Sequence, residues 1–228
     1  MAAGDFPITN YSFGGNVVFT PATPVYASIV DFPQPVGEKA PLPSGHVHPP
    51  GFVVGLSGIT QVDLDDGTHV TINAGHAIFA GPFGHHFHEN PGPGPDDWLF
   101  LGPRTEAVRG TVPSPSAHEV FDSPTLPPLV AGATYKLRLD MFTIRPGGRS
   151  ASVKQGGATL MYELDGANSL HQLNQPTQAL GFGHTAFLPA GTIYQLRNSS
   201  KTSQSEMLVM TFWADNQAPS TLVDNSLP

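Results

Sequence analysis

Gly75–Asn90 reads GHAIFAGPFGHHFHEN and Gly183–Asn198 reads GHTAFLPAGTIYQLRN. Laid one over the other without a gap, the two stretches keep Gly, His, Phe and Asn in register at an offset of 108 residues. A second pair holds the same offset: GFVVGLSG, ending at Gly58, lies over TLMYELDG, ending at Gly166. Both are apolar strand-like runs closed by a turn glycine. Two segments that share a period across an intervening loop of uneven composition mark a duplicated structural unit, not a chance likeness of Gly/Pro-rich sequence.

The rest of the chain agrees with two small β units. A length of 228 residues accommodates two domains of about 100 residues, each large enough for its own hydrophobic core. The 25 glycines and 24 prolines cut the chain into short segments, and no helix pattern of useful length survives between them. Period-two alternation is visible in Thr60-Gln61-Val62-Asp63-Leu64 and in Tyr135-Lys136-Leu137-Arg138-Leu139. Many short strands with glycine turns predict an all-β chain of two tandem jelly-roll barrels. The expected boundaries are 1–103 for the first barrel, a Pro/Ser-rich linker over 104–132, and 133–228 for the second.

A formal charge of −8, with no cluster of Lys or Arg, would repel a phosphate backbone and excludes nucleic acid as a partner. No stretch approaches the roughly 20 apolar residues that span a bilayer. The opening MAAGDFPITNYSFGG lacks both halves of a signal peptide. The expectation is a soluble chain, cytoplasmic, or secreted if a signal peptide once preceded Ala2. With zero cysteines, any metal chemistry falls to His, Asp and Glu.

Two histidine groups stand out. His46-Val47-His48 lies in an extended segment between Gly45 and Pro49, so both imidazoles project from one face of a strand. His85-His86-Phe87-His88 supplies a neighbour for them on another strand. Three inward imidazoles would form a facial triad with coordination positions left open.

At these residues the chain resembles the cupin superfamily, whose first motif contains His-x-His and a Glu, and whose second reads G-x5-P-x-G-x2-H-x3-N. The second copy shows that second motif as Gly183, Pro189, Gly191, Tyr194 and Asn198, with Tyr194 in the histidine place. Carried back by 108 residues, the frame puts His86 at the third ligand position and Asn90 at the motif's end. Gly51 stands where the family usually has its ligand Glu, and Gly81 and Phe83 replace the motif's Pro and Gly. The resemblance therefore implies a bicupin with a three-histidine site at His46, His48 and His86 in its N-terminal barrel. In the second copy the ligand positions fall on Lys154, Gly156, Thr159 and Tyr194, which implies no metal there.

Alternation sends His85 outward and makes His88 share the face of His86, as a candidate acid/base group. Phe52, Phe79 and Phe87 are the expected apolar lining of a substrate pocket, while Asn90 and Asn198 read as turn residues kept for the fold. The implied cofactor is one divalent metal ion, Fe(II) foremost, with Zn, Mn, Ni or Cu as alternatives. Three neutral imidazoles leave the full +2 charge for a chelating anionic substrate and, on Fe(II), for O2. The leading expectation is a dioxygenase-like oxidoreductase acting on a small chelating compound. A Lewis-acid lyase, isomerase or decarboxylase that needs no O2, or a non-catalytic binding protein, are the alternatives. Edges of such sheets often pair, so a homodimer is also expected.

Overall fold

The computed structural model describes residues 8–18, 24–40, 50–81, 85–112, 114–130, 132–223 and 227. His46 and His48 lie outside the described residues. The chain is all-β: apart from one 3-10 turn at Glu106–Val108, the described residues hold strands joined by turns and loops. Among them no helix is long and apolar enough to cross a membrane.

Two compact units divide the chain, one made of residues 19–132 and the other of 1–18 with 133–228. In the N-terminal unit a five-stranded antiparallel sheet runs β10 (His118–Asp122), β2 (Val25–Gln34), β9 (Asp96–Thr105), β4 (Gly51–Ser57), β7 (Ala77–Ala80). Facing it is a four-stranded sheet of β3 (Lys39–Ala40), β8 (His86–Glu89), β5 (Ile59–Leu64) and β6 (His69–Asn73). Val30, Phe32, Val53, Trp98 and Phe100 of the first sheet meet Val62 and Ile72 of the second in one buried core.

The C-terminal unit repeats the plan. One sheet runs β1 (Ile8–Val18), β11 (Thr134–Ile144), β18 (Ser205–Ala214), β13 (Ala158–Asp165), β16 (Thr185–Leu188). The other runs β15 (Gln178–Gly181), β14 (Ala167–Gln172), β17 (Ile193–Asn198), β12 (Val153–Gln155), β19 (Ser220–Leu222). Met161, Leu170, Leu188, Tyr194, Leu196 and Val209 fill the space between them.

The duplication is visible bond by bond. Gly58 and Gly166 both take positive φ, 67° and 83°. A Cβ there would lie 2.8 Å from Asp96 Cα in one unit and 2.9 Å from Ser205 Cα in the other, so only glycine fits. Gly75 N–H donates to Gly55 O and Gly55 N–H to His76 O, while Gly183 and Glu163 exchange the same bonds with Glu163 and His184. Asn90 Nδ2 donates to Gln34 O and Gly94 O, and its Oδ1 accepts from Gly92 N–H. Asn198 does the same with Ile144 O, Ser203 O and Ser200 N–H. Both asparagines are turn residues in this geometry.

The expected boundaries need two corrections. β10 falls inside the stretch read as a linker, yet it pairs with β2 from His118↔Asp31 to Asp122↔Ser28. The prolines on either side of this five-residue strand disguised it, because proline removes a ladder donor only where it stands. β1, at the start of the chain, pairs with β11 through Val18↔Thr134 and so belongs to the C-terminal unit, not to a first unit over 1–103. Each of these strands covers what would otherwise be an open sheet edge.

Candidate metal centre

The four residues of β8 alternate strictly, with His86 and His88 buried at 1% and 2% exposure and Phe87 and Glu89 only half-buried. Pairing with β5 sets His88 opposite Val62 and His86 opposite Leu64, both packed in the inter-sheet core. Both imidazoles therefore point into the interior between the sheets. Their rings stand edge-on, 5.1 Å apart at 72°. His85, one residue before, is partly exposed, and its Nδ1 lies 3.1 Å from Asp65 Oδ1.

Aromatic packing fixes His88. Trp98 stacks on it at 4.2 Å and on Phe32 at 3.8 Å. Trp98 Nε1 donates to Gln34 Oε1 (2.8 Å), and Gln34 Nε2 reaches the His88 carbonyl at 3.4 Å. The stack thus orients an imidazole directly beside His86.

Across the interior, Gly51 occupies the place where the resemblance expects a ligand Glu, and that space is already taken. A Cβ on Gly51 would meet the Phe100 ring at 2.5 Å and Leu101 O at 2.7 Å. The same ring would crowd a Cβ on Gly102, at 2.6 Å. Phe100 lies over two glycines where a carboxylate side chain would otherwise enter.

The expected pocket lining is corrected by register. Val53 belongs to the core and pairs with Phe100 and Ile78, so its neighbour Phe52 faces the opposite side of the sheet with Leu101 and Phe79. Phe52 and Phe79 pack on each other there, with ring centroids 5.4 Å apart. Phe87 also points away from His86 and His88, under the Lys39 ammonium at 5.0 Å. The aromatics packed in the inter-sheet core are Phe32, Trp98 and Phe100. Alternation could have found Phe87's direction, since it sits between two inward histidines. Phe32, Trp98 and Phe100 lie far from the histidines in sequence, and only strand pairing brings them near.

Charged groups frame this interior. Lys39 bridges Asp63 and Glu89 on the outer side of the small sheet. Burial acts to raise the Asp63 carboxyl, but hydrogen bonds from Lys39, His69 and Gln61 outweigh it and hold the group well below the usual range. Asp96 accepts from Thr60 Oγ1 at 2.7 Å, and burial pushes it up to about 6. At the other end of the inward face of β2 and β9, Ser28 pairs with Gly102 and Tyr26 with Arg104. Burial pushes the Tyr26 phenol up, against the opposing charge of Arg104.

In the C-terminal unit Tyr194 takes the place of His86, 5% exposed and paired with Val153, and burial raises its phenol. The inward residues of β12 are Val153 and Gln155, whereas Lys154 is exposed. Lys154, expected at a ligand position of this copy, thus faces away from the interior. Gly156 is closely covered: a Cβ there would lie 1.8 Å from Ala218 O. Thr159, 0% exposed, shares a hydrogen bond with Thr211 at 3.3 Å. Among the described residues no group of three or more His, Asp or Glu could hold a metal ion, and two of the three expected ligands lie outside them.

By sequence, no family model matches the chain and no curated protein matches it. By structure, it resembles cupin-family proteins. One is oxalate decarboxylase of Bacillus subtilis, a protein with Mn(II) centres, at 9% identity and TM-score 0.58, with 95% of this chain and 80% of that one covered. AerE from Microcystis aeruginosa matches at 15% identity and TM-score 0.57, over 92% and 99% of the two chains. Salicylate 1,2-dioxygenase from Pseudoaminobacter salicylatoxidans matches at 17% identity and TM-score 0.54, over 90% and 81%. The chain shares their fold.

Proposed function

We propose that this chain is a bicupin enzyme whose N-terminal barrel holds one divalent metal through His46, His48 and His86 and oxidises a small chelating organic compound. The observation that carries the reading is the pair of buried, inward imidazoles on β8, set between two sheets of a cupin fold. An imidazole at 1% exposure on an interior face is the donor type that Fe(II), Mn(II) or Zn(II) accepts. The ring of Phe100 over Gly51 supports a ligand set without a carboxylate.

A metal bound there would act as a Lewis acid toward a chelating substrate and, as Fe(II), could also activate O2. The chain's own residues do the rest. Phe32, Trp98 and Phe100 keep water from the interior and give an apolar seat to an organic ring or chain. His88, locked against Trp98 and edge-on to His86, is the candidate to hold or move a proton beside the site.

The experiment is metal analysis of the untagged protein followed by O2 uptake against a panel of chelating substrates. One equivalent of metal per chain and turnover that starts only when O2 is admitted are expected. Equal turnover under anaerobic conditions would move the function to a lyase or isomerase. Two equivalents of metal would refute the assignment to one barrel.

A further inference from the structure

The inward face of β2 does not stay apolar. Running back from the core, Val30 is followed on that face by Ser28 and Tyr26, and on β9 Phe100 is followed by Gly102 and Arg104. Asp122 of β10 pairs with Ser28 and joins the same face. Tyr26 and Ser28 are 0% exposed and Arg104 is 8% exposed. Tyr26 Oη, Ser28 Oγ, Arg104 Nη1 and both Asp122 carboxylate oxygens are buried without a hydrogen-bond partner. Five such atoms in one neighbourhood, donors and acceptors together, is not how a packed core ends.

The surrounding frame is well bonded. Arg104 Nη2 donates to Thr111 O at 2.6 Å, which leaves Nη1 as the presented edge of a guanidinium held from behind. Arg109 lies 3.9 Å over the Tyr26 ring, is tied to Glu106 and to Ser123 O, and stands 3.7 Å from Asp122 Oδ2, beyond hydrogen-bond reach. The chemistry on offer is the Arg104 guanidinium edge, two hydroxyls and the Asp122 carboxylate, which also faces Glu119 and Arg109, continuous on one face with the wall formed by Phe32, Trp98 and Phe100.

We propose that these four residues are the polar end of the substrate chamber and that they select a small organic carboxylate bearing a hydroxyl group. The substrate carboxylate accepts from Arg104 Nη1, and the substrate hydroxyl donates to Asp122 while accepting from Ser28 or Tyr26. This rests on reading the N-terminal unit's interior as the substrate site, but it does not require the metal.

The test uses the full-length chain, as purified and after dialysis against EDTA, titrated calorimetrically with 3-hydroxybenzoate, benzoate and 3-hydroxybenzamide. The EDTA-treated chain should bind 3-hydroxybenzoate about tenfold or more tightly than the amide, and Arg104→Met should abolish that preference. Tyr26→Phe and Ser28→Ala should each weaken 3-hydroxybenzoate relative to benzoate by about threefold or more while leaving Tm unchanged or raised, because each removes an unsatisfied buried group. A lowered Tm with unchanged probe ranking would assign them a structural role and overturn the proposal. So would equal affinity for acid and amide in the natural chain. If Arg104→Met does not fold, the two hydroxyl variants decide. Charge-selective binding by a chain that carries no metal as purified would refute the metal reading alone, and a metal-loaded chain blind to charge would refute this one alone.

Discussion

At the residue scale, the direction of a side chain decides its role. Adjacent residues on a strand face opposite sides, so His85 and His86 cannot both enter the interior. His86→Ala is expected to lose most of the bound metal and His85→Ala very little, as read by metal content after dialysis. The reverse ranking would mean that β8 is used in another register. Gly51 carries a second expectation. Its missing Cβ would lie 2.7 Å from a backbone oxygen as well as against the Phe100 ring, and the backbone oxygen cannot swing aside. Gly51→Ala should therefore destabilise the N-terminal unit by roughly 1–3 kcal/mol in chemical denaturation, the usual cost of overpacking. Stability within about 0.5 kcal/mol of the parent would show that the strand yields, and that a Glu could be accommodated there. The inward direction of His86 and His88 and the outward one of His85 were legible in the sequence because strand alternation names them. Trp98, Phe32 and Phe100 were not, because no local pattern links them to His86.

The strand is the scale at which the domain limits went astray. A boundary drawn from composition ends the first unit at 103, whereas pairing extends it through β10. Ser123 also ties this segment inward: Ala27 N–H donates to its Oγ at 2.9 Å, and Ser123 N–H donates to Ala27 O. A fragment of residues 19–132 is expected to unfold cooperatively. One of residues 19–103 should lose near-UV signal and melt broadly, because β2 is left with an open edge and Ser28 with no covering strand. Matching melts for the two fragments would return the segment to linker status. The turn glycines and the two asparagines, in contrast, could be read locally, since a residue with positive φ and an Asx turn each depend on a few neighbouring atoms.

For the molecule as a whole, pH acts on the two units through different groups. In the C-terminal unit Glu163 is fully buried, with Asn168 Nδ2 donating to both of its oxygens at 2.8 and 2.9 Å. Burial pushes Glu163 up to about 7 from an ordinary 4.5, although the Asn168 bonds oppose the shift and Asp165 adds to it. The folded state therefore holds a proton that the unfolded chain releases. Its stabilising contribution is complete below about pH 4.5 and is lost as the pH rises through about 7. Glu163→Gln should leave stability unchanged near the acid end and raise it by roughly 3 kcal/mol at pH 8. Equal effects at both pH values would show that the carboxyl is ionised in the folded chain throughout. In the N-terminal unit the proposed metal site runs the other way with pH. Three histidine ligands with an ordinary pKa of about 6.5 take up as many as three protons on release, so affinity should fall by about a thousandfold per pH unit well below that value. Titrations of metal at several pH values measure the slope, and a slope near tenfold would mean that fewer histidines bind or that a carboxylate has joined them.

The sequence by itself determined that the chain is built twice from short strands, where its turns fall, and that His86 and His88 face inward while His85 does not. These follow from chain geometry acting over a few residues, and the offset of 108 residues carries them from one copy to the other. Only the tertiary structure decided which strands complete each sheet, which aromatics share an interior with His86, and that Phe100 fills the space over Gly51. Those are pairings between distant segments, set by strand register and by the volume left between two sheets. A register slip of one residue would turn every side chain of a strand to the other face, and an offset counted along the chain does not report pairing.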